Sequence, residues 1–189
     1  RRYSALLEAM MNAARPSGAA STPQPTITDA DEELYRALLG DRVGDSKYII
    51  RKELQSGGMG QLYCVFDQDF QRTAVMKVLL PELKTDLSLC ANFMREARIT
   101  AQLEHPNIVP VHDLGYMPGA GIFFTMKYIQ GESLHQILEK LENNQADYQV
   151  RFDYIGLLSI FRRVCDAVAF AHSRGILHRD IKPHNIMVG

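Results

Sequence analysis

The stretch Ile176–Gly189 reads ILHRDIKPHNIMVG, and its polar residues have a spacing that could carry phosphoryl transfer. Asp180 stands two residues before Lys182 and five before Asn185, with apolar residues on both sides. A carboxylate there can accept or orient a hydroxyl proton, and the lysine can neutralise charge on a moving phosphoryl group. The asparagine carbonyl can hold a magnesium ion. A plain polar turn between a helix and a short strand would also contain Asp and Asn, so the Asp-x4-Asn spacing alone does not separate the two readings. His178, Arg179, Lys182 and Pro183, all in place around it, decide for the chemistry.

Three further features could serve the same chemistry. Gln55-Ser56-Gly57-Gly58-Met59-Gly60 lies between two β-rich runs, where glycines let the backbone approach a polyphosphate and aim N–H groups at it. Glycine hairpins also arise for steric reasons alone. A dinucleotide-binding fold is excluded, because its glycines open a helix and these open a strand. Lys77, after Ala74-Val75-Met76, lies between apolar neighbours on a strand, where a lysine commonly just reaches solvent. Glu96, in the helical stretch FMREARITAQL, could pair with Lys77 and hold it against nucleotide phosphates.

Periodicity gives the elements that must position these groups. Residues 48–54, 62–66 and 73–79 read as strands, followed by a helix over 87–103 with Phe93, Ala97, Thr100 and Leu103 on one face. Residues 108–114 and 122–129 add two strands. Helices then follow at 133–141 and 152–173, separated by the polar insert ENNQADYQVR, with Leu157, Phe161, Val164, Val168 and Ala171 sharing a face. Before all of these, residues 4–14 suit a short amphipathic helix, residues 16–28 a Pro/Ser/Thr-rich linker, and Asp29 the start of a second short helix. The expected organisation is an N-terminal extension (1–46), a sheet-rich region (47–130) and a helical region (131–189).

Composition bounds what such a chain can be. Its 189 residues are 46% hydrophobic and 23% charged with a formal net charge of −1, an ordinary globular profile. No basic excess is available for nucleic acid or a membrane surface. Cys64, Cys90 and Cys165 lie far apart without a CxxC pair, which points away from a disulfide framework and toward a reducing, cytoplasmic setting. No apolar run approaches the roughly 18 residues of a membrane span. The opening Arg1-Arg2 and the closing Gly189, just after Ile186-Met187-Val188, read as cut ends, so a fragment is expected.

Glycine turn, strand lysine, helix glutamate and the HRDIKPHN turn occur in the order of the eukaryotic-type protein kinase family. With ELQSGGMGQLY and EARITAQLEHPNIVPVHDLG, residues 47–189 look most like a bacterial Ser/Thr kinase. The resemblance implies an α+β, protein-kinase-like two-lobe fold: a complete N-lobe of five antiparallel strands and one main helix, then only the first helices and catalytic loop of the C-lobe. It implies ATP and Mg2+ as cofactors, with Asp180 as catalytic base, Lys182 and Asn185 beside it, and Asn185 as magnesium ligand. Lys77 would contact the phosphates, anchored by Glu96, under a glycine loop of Gly57, Gly58 and Gly60. Leu54, Leu62 and Ala74 would cover adenine, Met126 would be the gatekeeper, and Lys127 to Ile129 would form the hinge. Lys182-Pro183 resembles the Ser/Thr-specific loop, so the expected partners are proteins bearing Ser or Thr. Arg179 suggests an activation segment organised by a phosphate. His178 would brace the loop, His105 would be a turn residue, and Cys165 would lie in a core.

Gln55 stands where the family usually has its first loop glycine, and Leu62 replaces the usual valine. The sequence stops before the family's Asp-Phe-Gly segment, so this chain alone is expected to be inactive. The apolar face of 152–173 is expected to need covering by a dimer contact or a partner domain, and a larger, membrane-anchored protein is compatible with the pattern. Two other functions stay open: a pseudokinase acting as a binding module, and a small-molecule phosphotransferase sharing the Asp-x4-Asn spacing.

Overall fold

The computed structural model describes residues 3–5, 47–56, 60–80, 83, 86–117 and 120–189, with side chains at 3–5, 55 and 56 excepted. In chain order the strands are β1 (Tyr3–Ala5), β2 (Tyr48–Ser56), β3 (Gly60–Asp67), β4 (Arg72–Leu79), β5 (Val111–Met117), β6 (Gly121–Lys127), β7 (Glu132–Ser133) and β8 (Ile186–Val188). The helices are α1 (Leu87–Ala101), α2 (Leu134–Glu142), α3 (Ala146–Arg151) and α4 (Tyr154–Ser173). They divide into two compact units, one built on the five larger strands with α1, the other on α2–α4 with the short strands.

The sheet unit has strand order β2-β3-β4-β6-β5, every neighbour antiparallel. Period-two alternation sorts its side chains. Register puts Leu62, Cys64, Val75, Lys77, Phe124 and Met126 on one face, and Tyr63, Val65, Ala74, Met76, Val78 and Phe123 on the other. The second face joins Tyr48 in a small apolar core. The first face receives α1, whose Phe93 ring lies 5.0 Å from that of Phe124. The α1 helix starts where the Asp86 side chain accepts from Ser88 N and Leu89 N. It buries Cys90, Phe93, Met94, Glu96, Ala97 and Thr100, the three-and-four spacing of one helical face.

Several boundaries differ from the sequence expectation. The strand expected from residue 108 starts at Val111, because Pro110 has no N–H to give a ladder. Ile108 instead packs with Leu103, Ala167 and Ala171, so 103–110 belongs to the helical unit rather than to the sheet region. Leu103 itself lies beyond the end of α1. Within the polar insert, Ala146–Arg151 is helical; its Tyr148 packs against the core, which Phe152 just after the helix joins. The buried stripe of α4 is Ile160, Val164, Ala167 and Ala171. Phe161, expected to face inward, is 64% exposed, and Cys165 is exposed rather than in a core. One residue along a helix is a rotation of about 100°, enough to move Phe161 off the stripe set by Ile160. At the N-terminus, Tyr3–Ala5 pairs with Ile186–Val188 as a strand, so the helix expected from residue 4 does not begin there. The remainder of 6–46, with the expected linker and second helix, lies outside the described residues.

In the helical unit, a capping box between Ser133 and Gln136 starts α2, and Asp153 caps α4 through Gly156 N at 2.8 Å. Asn107 Nδ2 donates to the Arg163 carbonyl at 3.3 Å, tying the loop before β5 to α4. Glu132, Lys140 and Tyr148 are mutually hydrogen-bonded and join β7, α2 and α3. Gly131 crosses the end of β8 so closely that a Cβ would lie 2.0 Å from the Val188 carbonyl oxygen. We expect Gly131→Ala to destabilise the protein by at least about 1–3 kcal/mol, the scale of overpacking. Gly175, at φ +73° with open space around it, should cost Ala only backbone strain of roughly 1–2 kcal/mol. Denaturant unfolding of the two variants checks the ordering, and equal losses would contradict the crossing.

Candidate functional site

Lys77 is held on the α1-facing side of β4 and is 1% exposed. Its Nζ lies 3.6 Å from Glu96 Oε1, an ion pair longer than a hydrogen bond. The ammonium also faces two aromatic rings, at 5.2 Å from the Phe93 centroid and 5.6 Å from that of Phe124. Burial pushes the Glu96 carboxyl up to about 7, with the Lys77 charge pulling the other way. The lysine stem runs across Gly60, where a Cβ would lie 2.6 Å from Lys77 Cε and 2.9 Å from the Val78 carbonyl oxygen. Position 60 is therefore glycine at least in part because the lysine occupies the space a side chain would need.

In the helical unit the chemistry-bearing turn follows α4. Arg179 adopts a left-handed backbone, φ 71°, which non-glycine residues seldom take. That turn brings Asp180 N to donate to His178 Nδ1 at 3.2 Å, with His178 itself buried. The Asp180 carboxylate meets Lys182 Nζ at 2.8 Å. Asn185 Nδ2 donates both to the Asp180 carbonyl at 3.0 Å and to its Oδ2 at 3.2 Å. These contacts hold the Asp180 carboxyl below its ordinary range, the Lys182 hydrogen bond first among them. A 3-10 turn, Pro183–Asn185, carries Asn185, and the His184 ring within it stacks on His135 of α2 at 3.7 Å.

Of the residues singled out from sequence, Lys77, Glu96, Gly60, Leu62 and Met126 come together on one sheet face with α1. Asp180, Lys182 and Asn185 come together in the turn. The two groups belong to different compact units. Ala74 is corrected: its partner in register is Lys127 and it packs with Tyr48, Met76 and Phe123, on the face opposite Lys77. Val75 shares the Lys77 face, and strict alternation read back from Lys77 would have found it. Leu54 is exposed on the bulged edge strand β2. Lys127 ends β6, and Ile129 lies in the other unit, against Gly189. Gly57 and Gly58 lie outside the described residues. Sequence reading missed Phe93 and Phe124 as neighbours of the lysine, for which no local signal exists.

With Nδ2 committed to Asp180, Asn185 Oδ1 is an oxygen suited to Mg2+. Among the described residues no group of three or more His, Cys, Asp or Glu could hold a metal ion. These residues alone therefore complete no magnesium shell.

The family described as "Protein kinase domain" matches residues 48–189. "Serine/threonine-protein kinase PknD" of Protochlamydia amoebophila is 34% identical over 147 residues, covering 75% of this chain and 15% of that protein. The protein of the same name from Chlamydia pneumoniae is 36% identical over 146 residues, covering 76% and 16%. The crystal structure of the Mycobacterium tuberculosis PknI kinase domain superposes with a TM-score of 0.57 at 29% identity, over 79% of this chain and 58% of that one. This chain thus spans about a sixth of the length of these curated relatives.

Two outcomes follow from the charges. Glu96 has a higher pKa folded than unfolded, so the folded state holds the extra proton between about 4.5 and about 7. The stability this contributes is fully present below pH 4.5 and is lost as pH rises through 7. The whole effect is on the order of 3 kcal/mol. Melting temperature should therefore fall more steeply from pH 5 to 8 in the parent than in Glu96→Gln; parallel curves would contradict the raised pKa. For Asp180, Lys182→Met should raise the carboxyl pKa. Carbon-13 titration of that carboxyl reads the shift, and an unmoved midpoint would show that the ion pair does not form in solution.

Proposed function

Because this chain belongs to the protein kinase domain family, we propose that it supplies the ATP-handling and catalytic-loop portion of a serine/threonine protein kinase. The observation that carries this reading is the Asp180 carboxylate, oriented by both Lys182 and Asn185 on a strained turn. A group held this way is positioned before any substrate arrives, which is what phosphoryl transfer asks of a protein.

In this reading ATP supplies the phosphoryl group. The Asp180 carboxylate accepts a hydrogen bond from a Ser or Thr hydroxyl of the substrate protein and orients its oxygen for attack. Its lowered pKa suits orientation better than early proton removal, so the proton passes to Asp180 late, as the new P–O bond forms and the bond between the γ-phosphorus and the β–γ bridging oxygen breaks to release ADP. Lys182, 2.8 Å from that carboxylate, places positive charge where phosphoryl charge develops. Lys77 meets the nucleotide phosphates, and Asn185 Oδ1 would be one oxygen ligand to Mg2+. Leu62 and Met126, on the Lys77 face, would line the adenine pocket together with Val75. Protein substrates are favoured over small-molecule acceptors because Lys182-Pro183 matches the Ser/Thr kinase pattern and the curated relatives carry that name. A reducing cytoplasmic setting accords with three free cysteines.

Loss of Asp180 and loss of Lys77 should differ in kind in the gene product that contains this chain. Asp180→Asn keeps the shape, so ATP affinity should stay near the parent value while Ser/Thr phosphorylation falls by roughly 10²–10⁴-fold. Lys77→Met should weaken productive nucleotide binding. Phosphorylation of a generic Ser/Thr substrate with radiolabelled ATP, beside calorimetric ATP titration, separates the two. Transfer at near the parent rate in Asp180→Asn would overturn the reading of the loop.

A further inference from the structure

An ammonium group that is 1% exposed needs compensation close at hand, and one carboxylate stands beside Lys77. Glu96 stands 3.6 Å away, and its own burial favours its neutral form up to about pH 7. Two aromatic rings also stand beside the ammonium. Phe93 on α1 and Phe124 on β6 are each 1% exposed and tilted at 46° to one another, with centroids 5.0 Å apart. Both present their rings to Lys77 Nζ within the roughly 6 Å over which a ring quadrupole attracts a cation. Phe124 is also the direct cross-strand partner of Lys77, so the sheet register itself puts one ring beside the lysine stem. Gly60 leaves the stem room on its other side.

We propose that Phe93 and Phe124 form an aromatic cage that holds the Lys77 ammonium charged and in place for nucleotide phosphates, as positioning residues beside Glu96. The assignment of phosphate binding to Lys77 rests on the proposed function; the cage itself does not. The two rings attract the cation at every pH, whereas Glu96 does so only when ionised. They therefore keep the lysine charge seated when the carboxylate is protonated, and also when a phosphate draws the ammonium away from Glu96. A core pair of phenylalanines without this role would pack equally well with any ring electronics, and that difference can be measured.

Site-specific replacement of Phe124, and separately Phe93, by 4-fluoro-, 3,5-difluoro- and 3,4,5-trifluorophenylalanine keeps the ring shape and drains its negative face stepwise. In the full gene product, carbon-13 titration of the lysine side chains, with Lys77 identified by its absence in Lys77→Arg, reads the ammonium directly. The Lys77 proton affinity should fall stepwise with fluorination, by about tenfold across the series. Affinity for ATP should fall in parallel. Lys77 titration that stays flat across both series overturns the cage, whatever happens to ATP binding. Titration that moves while ATP affinity stays flat, with Lys77→Met still weakening ATP, overturns the positioning role alone. If Lys77→Met also leaves ATP affinity unchanged, it is the phosphate-binding assignment of Lys77 that fails.

Discussion

A lysine ammonium closed off between a sheet and a helix is the constraint around which the sheet unit is organised. Removing such a charge from water is costly unless its surroundings replace the lost hydration. At Lys77 a carboxylate from α1, a ring from the same helix and a ring from the neighbouring strand contribute to that replacement. Two of these come from α1, so the helix must pack on this face of the sheet and no other. The requirement reaches as far as Gly60, where even a methyl group would collide with the lysine stem.

The turn at Asp180 follows the opposite strategy. Its carboxylate and the Lys182 ammonium are both about a third exposed, so their attraction is screened and adds little to stability. What the turn provides is direction. The left-handed backbone at Arg179, the buried His178 ring accepting from Asp180 N, and the double donation from Asn185 leave the carboxylate few orientations. Strain of this kind persists only where neighbouring contacts over-determine it. Here the stacking of His184 on His135 and the glycine crossing at Gly131 secure the segment that follows it.

Buried and exposed charge thus divide the work in a manner suited to phosphoryl transfer. A nucleotide phosphate meeting Lys77 would encounter a cation already desolvated, where electrostatic interactions are strongest. A hydroxyl meeting Asp180 would encounter an ionised acceptor still open to water and to exchange. One exposed feature has no such role in this scheme: Tyr154, Ile155, Leu158 and Phe161 form an apolar stripe on α4 beside the buried one.

How much of this was legible beforehand depended on whether a residue's role is local. The order of Gly60, Lys77, Glu96 and the HRDIKPHN turn is written along the chain, and with it the family and the strand and helix types. Period-two alternation could have placed Val75, not Ala74, beside Lys77, since a strand reverses sides at every residue. Other features are decided only by packing. The α4 helix has two separate apolar stripes, and sequence alone cannot say which one meets the core. Ile108 and Val109 look like the start of a strand, yet Pro110 denies them a ladder and the helical unit buries Ile108. Phe93 and Phe124 lie 31 positions apart, and no local pattern links them to each other or to Lys77. The order of residues along the chain was enough to single out the groups proposed to carry the chemistry. Tertiary structure decided which of them are desolvated and what surrounds them, because burial is a property of the assembled faces and not of any single segment.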